Sequence, residues 1–207
     1  FIFFSSLISY TYVKAFFLFL FTSFYAFIKM TSEVFMYYII AFFTFILSLK
    51  TSWIYNNFTY LSYQPTLRIY FLIWISVVSI FLLIKTIKLL NYSYITRLDK
   101  LLISFNLICI LLGSYLPYDP NNTNILSTLH IVLSSIASLS YLIIIQIIIN
   151  RLIPIDYNVY NQINIIYHRL ITILIMLIIM FGSINTIIEL YTMLTILFIL
   201  NKIENTL

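Results

Sequence analysis

Glycine is nearly missing from this chain, with two residues among 207. That scarcity rules out the glycine-rich loops that cradle phosphate groups and the Gly-x-Ser-x-Gly turn that presents a hydrolase serine. Cys109 is the single cysteine, so no intramolecular disulfide can form, and its place inside an apolar run disfavours a thiolate. It reads as a packing residue. Charge is equally scarce: Asp, Glu, Lys and Arg together make up 8% of the residues, too few to present a charged shell to water. The formal charge of +5 does not point to nucleic acid, because the basic residues flank apolar runs, where they orient helices and meet lipid headgroups.

What fills the space instead is apolar. Hydrophobic residues are 63% of the chain and aromatics 19%, and the excess of Ile, Asn, Tyr and Phe suggests AT-rich coding, as in a low-GC bacterium or an organelle. A segment in lipid must satisfy its own backbone hydrogen bonds, and about 20 helical residues cover a hydrocarbon core of about 30 Å. The expected fold class is therefore all-α, a polytopic transmembrane helix bundle with spans near 34–54, 69–90, 101–116, 127–150, 167–182 and 184–201. The run from Leu170 to Leu200 is too long for one span, and Gly182-Ser183 with Asn185 is its natural break, with a single long tilted helix as the alternative because a tight turn leaves two short helices. Residues 30–207 form one six-helix domain with no room for a soluble domain beside it. Residues 1–29, ahead of Met30, leave two readings open: a seventh span, or upstream sequence foreign to the protein.

The cations between these runs alternate in side. Lys29, Lys85, Lys88, Arg97, Lys100, Arg151, Arg169 and Lys202 gather on one face, against Lys50 and Arg68 on the other. The positive-inside rule then places both ends of the six-span unit in the cytoplasm, in what the composition suggests is a bacterial plasma membrane. Two outer loops remain, Tyr55 to Leu67 and Pro117 to Leu126, the second stiffened by Pro117 and Pro120. Tyr55, Tyr60, Tyr63, Tyr115 and Tyr118 cluster near the outer boundary, where amphipathic rings anchor.

Ionisable side chains inside a membrane are costly, which singles out His130 and Glu189. Arg68 and Asp119 share their level, so Arg68, Asp119, His130 and Glu189 are the candidate polar cluster beneath the outer face. The plainer alternative pairs Glu189 with Arg68 or Asn185 and lets His130 cap a loop carbonyl. A metal hydrolase would have to draw on His130, Asp119 and Glu189, with no i, i+4 ligand pair in support. Haem held between His130 and His168 fails, because the expected helices set them about 25–30 Å apart. No catalytic residue, metal ligand or cofactor is assigned. Ser127, Ser134, Ala137, Ser138 and Ser140 give the His130 helix a small-residue side suited to close helix packing, with a hydroxyl-lined path as the alternative.

With an outer loop leading into His130 and with Glu189 near the start of the last span, the arrangement resembles the DRAM/Frag/Sfk group of six-helix membrane proteins across residues 30–207. Leu190 stands where that group carries an aromatic, and the first outer loop is shorter than in eukaryotic members. The resemblance implies a role in membrane lipid organisation, lipid-anchor remodelling or autophagy, without established catalytic residues. The leading expectation is a lipid- or partner-binding membrane protein, its partners being membrane lipids and a second membrane protein. A small transporter or channel subunit is the rival, and an intramembrane metal-dependent hydrolase the third class. Oligomeric state is not legible.

Overall fold

The computed structural model describes residues 39–93, 96–116, 118–119 and 124–206. Both readings of residues 1–29 lie outside these. The described chain is helical throughout: α1 (Ala41–Ser48), α2 (Tyr60–Tyr63), α3 (Pro65–Ser93), α4 (Arg97–Tyr115), α5 (Ile125–Asn150), α6 (Tyr157–Phe181) and α7 (Thr186–Glu204), with no strand among the described residues. Five of them, α3 to α7, are long and apolar enough to cross a membrane.

Local chemistry sets where each begins. Pro65 opens α3, where its missing N–H costs nothing. Thr96 caps α4 reciprocally: its hydroxyl accepts from Asp99 N at 3.2 Å while its own amide donates to Asp99 Oδ2 at 2.7 Å. Asn124, Asp156 and Asn185 cap α5, α6 and α7 through their side-chain oxygens. Gly182, at φ 70°, ends α6 in the left-handed conformation that glycine adopts without strain, so the long apolar run is two helices.

Two boundaries differ from expectation. The helix expected from 167 begins at Tyr157, because Asp156 caps it and a polar helix runs ten residues before the apolar stretch starts. His168 and Arg169 therefore lie near the middle of α6 instead of flanking its start, and the His130–His168 separation inferred from sequence is too long. The helix expected over 34–54 has its first residues outside the described ones and stops at Ser48, where hydroxyls compete for backbone carbonyls. Ser48 Oγ donates to Phe45 O at 2.6 Å, Thr51 Oγ1 to Ser48 O at 2.8 Å and Trp53 Nε1 to Ser48 O at 2.9 Å.

Burial is arranged for an apolar solvent. Ile73, Val77, Ile80, Ile84 and Ile87 form an exposed stripe along α3, repeating every three or four residues, while Ser79, Lys85 and Thr86 of the same helix are buried. This is a multispanning integral membrane protein. The main core joins Leu82, Leu89 and Leu90 of α3 to Ile145 and Ile149 of α5, Ile163 and Leu170 of α6, and Leu197, Leu200 and Ile203 of α7. A smaller cluster, Leu47, Phe58, Leu61 and Phe71, lies where α1, α2 and the start of α3 meet.

The closest pair is α4 with α5. A Cβ on Gly113 would stand 3.0 Å from Ser134 Oγ and 3.2 Å from Ser134 N, so any larger residue would push α5 back by a few tenths of an ångström. Asn106 Nδ2 crosses the same seam to Ala137 O at 2.6 Å and Ser140 Oγ at 2.7 Å. Ser134, Ala137 and Ser140 thus serve helix packing, whereas Ser138 is exposed and donates back to Ser134 O at 3.0 Å.

At the end where α3, α5 and α7 finish, ion pairs tie the bundle. Glu204 of α7 receives both Lys85 and Lys88 of α3, and Asp99 of α4 receives Arg151 after α5. This basic end contrasts with the opposite, loop end. Lys85 and Glu204 side chains are 5% and 7% exposed, so removing one charge strands the other. Glu204→Gln is expected to destabilise the detergent-solubilised protein by about 3 kcal/mol, while the double replacement Lys85→Met with Glu204→Leu recovers most of that loss. Thermal unfolding of the variants in one detergent checks the order.

Candidate functional site

The loop end is built on the amino terminus of α7. A helix start leaves amide donors without partners, and the segment from Thr51 to Phe58 supplies acceptors for them. Thr186 N donates to Asn56 O at 2.8 Å, Ile187 N to Trp53 O at 3.4 Å and Ile188 N to Asn185 Oδ1 at 3.1 Å. Side chains tighten the seam: Thr186 Oγ1 donates to Asn56 O at 2.8 Å and lies 2.9 Å from Thr51 Oγ1, while Asn185 Nδ2 donates to Ile54 O at 3.3 Å.

Glu189 completes the docking. Its Oε2 accepts from Phe58 N at 2.5 Å, which fixes the amide of a residue whose ring is buried beside Trp74, with centroids 5.2 Å apart. The carboxylate therefore holds a loop backbone instead of Arg68, whose side chain is exposed and makes no ion pair among the described residues. Arg68 does not join the cluster. Asn185 meets Glu189 through backbone alone, its carbonyl accepting from Glu189 N at 3.1 Å.

His130, the sixth residue of α5, is 1% exposed. Tyr118 stacks on it, ring centroids 5.0 Å apart and planes inclined by 30°. Neither ring nitrogen makes a hydrogen bond among the described residues, although the imidazole faces the carbonyls of Gly113 and Leu116 at the end of α4. Asp119 is tied beside it by its backbone: its N–H donates to Ser127 Oγ at 2.9 Å and its carbonyl accepts from the same hydroxyl at 3.3 Å. Pro117, Pro120 and residues 121–123 of this loop lie outside the described ones.

Tyr118 is the residue that sequence reasoning placed among interface anchors and that the fold stacks on His130. It covers His130, and its hydroxyl is held above the ordinary phenol range by burial first and then by the negative charges of Glu189 and Asp119. Of the four candidates, Asp119 and His130 meet at Tyr118, one as its chain neighbour and the other stacked on its ring, while Glu189 is bound to the Phe58 amide. Phe58 and Thr186 were also missed, because a carboxylate that binds a backbone amide leaves no side-chain pattern to read. Among the described residues no three of His, Cys, Asp and Glu come close enough together to share a metal ion.

A second feature lies in the middle of the bundle, a small cleft with Ser79 and Thr86 of α3, Asn106 of α4 and Tyr141 of α5 in its lining. Its polar groups bond one another across helices: Thr86 Oγ1 and Tyr141 Oη are 3.1 Å apart, and the Asn106 amide is held by α5. No family model, curated protein or solved structure matches the chain.

Replacing Glu189 with Leu removes the acceptor of the Phe58 amide and frees the 51–58 segment from α7. Hydrogen exchange at Phe58 and its neighbours is expected to speed up by about tenfold or more, with Glu189→Gln intermediate because its carbonyl can still accept. Unchanged exchange in Glu189→Leu would show that the carboxylate is not what holds the loop.

Proposed function

We propose that this membrane protein binds lipid, or a membrane partner, through the Tyr118–His130 pair at its loop end, and that the basic end faces the cytoplasm. One observation carries the reading. A buried imidazole that, among the described residues, has only the carbonyls of Gly113 and Leu116 near it and no well-aligned hydrogen bond is uncommon, and more so in a membrane helix, where a poorly matched polar group has no water to turn to. A ligand bearing a hydroxyl or phosphate oxygen offers the imidazole a better-aligned partner, and Tyr118, on a loop instead of a helix, is the group that can move to admit it. The orientation rests on Lys85, Lys88, Arg97, Lys100, Arg151 and Lys202 standing toward one end, against Lys50 and Arg68 at the other.

The loop leading into His130 and the Glu189 at the start of the last helix are the features on which the likeness to the DRAM/Frag/Sfk group rests, and we carry lipid organisation or lipid-anchor remodelling as the corresponding class of role. The transporter alternative needs polar groups lining a continuous path. Here Asn106, Tyr141 and Thr86 bond neighbouring helices, which supports the binding reading instead. The metal-hydrolase alternative draws no support from the described ligand geometry.

A phospholipid with a photoreactive headgroup, confined to the outer leaflet of right-side-out vesicles, is expected to label the Tyr118–His130 region. Labelling should drop by about fivefold or more in His130→Ala, the loss of one buried hydrogen bond, and stay unchanged in Cys109→Ala. Equal labelling of both variants, or labelling of this region only from the inner leaflet, contradicts the proposal.

A further inference from the structure

We propose that the lipid-facing side of α6 holds the headgroup of an anionic phospholipid from the leaflet at the basic end, with Arg169 as the main contact and His168 beside it. The site is separate from the Tyr118–His130 pair and lies toward the opposite end of the bundle.

The exposed residues Asn158, Asn161, Gln162, His168 and Arg169 fall on one side of α6, with the exposed Ile165 in the six-residue step between Gln162 and His168. The same side continues as the exposed Thr172, whose hydroxyl donates to His168 O at 2.9 Å, and then as Ile173, Met176, Ile179 and Met180, all exposed, so this helix face turns predominantly apolar past Thr172. That change marks where the hydrocarbon begins along α6. The neighbouring helix shows how deep the point is. Asn164 Oδ1 accepts from Gln146 Nε2 at 3.4 Å and Tyr167 Oη donates to Leu142 O at 3.0 Å, a register that sets Arg169 level with about Tyr141 of α5. Asn150, the end of α5, is then about nine residues away, or about 13 Å. The Arg169 backbone therefore sits at the inner edge of the polar stretch, about nine residues of helical rise from the end of α5.

A guanidinium leaving the helix at this depth must reach an anion, and its geometry lets it do so. Side chains on a helix lean toward its amino terminus, which for α6 is the basic end, so the Arg169 stem runs along the polar face toward the headgroups. Among the described residues no carboxylate is there to receive it. Asp99 is taken by Arg151, and Glu204 by Lys85 and Lys88. Glu189 holds the Phe58 amide and Asp119 sits in the loop at the other end. Asp156 caps α6 by accepting from Asn158 N and Val159 N, about 20 Å along the axis from Arg169. Glu33, the sixth acidic residue, lies outside the described residues. The bilayer itself supplies what the described protein does not: a phosphate that a guanidinium grips through two parallel hydrogen bonds, with Gln162 and Asn161 as further donors along the same face.

The test uses the full chain in nanodiscs containing equal phosphatidylglycerol and phosphatidylcholine, with retained lipid counted by native mass spectrometry. The intact protein is expected to keep phosphatidylglycerol over phosphatidylcholine, and Arg169→Ala to lower that preference by about fivefold or more, with Arg169→Lys between them. Arg97→Ala removes an exposed cation from the start of α4 and should leave the preference within about twofold, which separates a site from a net-charge effect. Three results overturn the proposal: an unchanged preference in Arg169→Ala; equal losses in the Arg169 and Arg97 variants; or a dimer that Arg169→Ala dissociates while lipid preference stays the same, which would assign the face to a second copy.

Discussion

Everything in this fold follows from the absence of hydrogen-bonding solvent along the outer surface of its five long helices. Polar groups in that zone have to be matched from within the protein, and most are. Asn106 reaches across to α5, Thr86 meets Tyr141, Trp74 Nε1 donates to Thr44 Oγ1 at 3.0 Å, and Tyr167 finds a backbone carbonyl. The carboxylates are drawn to the two ends of the bundle and engaged there, Asp99 and Glu204 by cations and Glu189 by a backbone amide. His130 is the buried side chain whose two ring nitrogens escape this matching among the described residues, which is why the functional argument begins with it.

Much of the architecture was legible because the bilayer imposes length as well as composition. The runs assigned to α3, α4, α5 and α7 were read within a few residues, and the Gly182-Ser183 break was read from its chemistry. The start of α6 was misplaced because hydropathy reports where lipid begins, not where backbone hydrogen bonding begins. Asp156 followed by Asn158 and Val159 carried the capping signal, ahead of a polar helical face that an apolar count passes over. The early end of α1 has a different origin, since Ser48 and Thr51 spend their hydroxyls on backbone carbonyls.

The polar cluster was less legible than the helices. Rarity alone picks out His130 and Glu189, yet it says nothing of their partners. Arg68 offered the expected counter-charge to Glu189, but the carboxylate instead meets a loop amide, a donor that every residue except proline carries and that no sequence pattern reveals. Tyr118 looked like one more interface tyrosine among several, and only the path of its loop lays it over the imidazole. The two ends of the molecule emerge with different chemistry. One is a loop end where backbone bonds dock the 51–58 segment on α7 and Tyr118 stacks on a buried imidazole, and the other is a set of ion pairs.

The central claim, that the exposed apolar stripe of α3 faces hydrocarbon, is tested most directly by nitroxide labels scanned singly from Ile73 to Ile87 in a Cys109→Ala chain reconstituted in bilayers. Labels at Ile80 and Ile84 are expected to collide readily with dissolved oxygen and hardly at all with a water-soluble nickel complex, while labels at Tyr55 and Lys100 show the reverse. Nickel access at Ile80 and Ile84 equal to that at Tyr55 would contradict a membrane-embedded bundle.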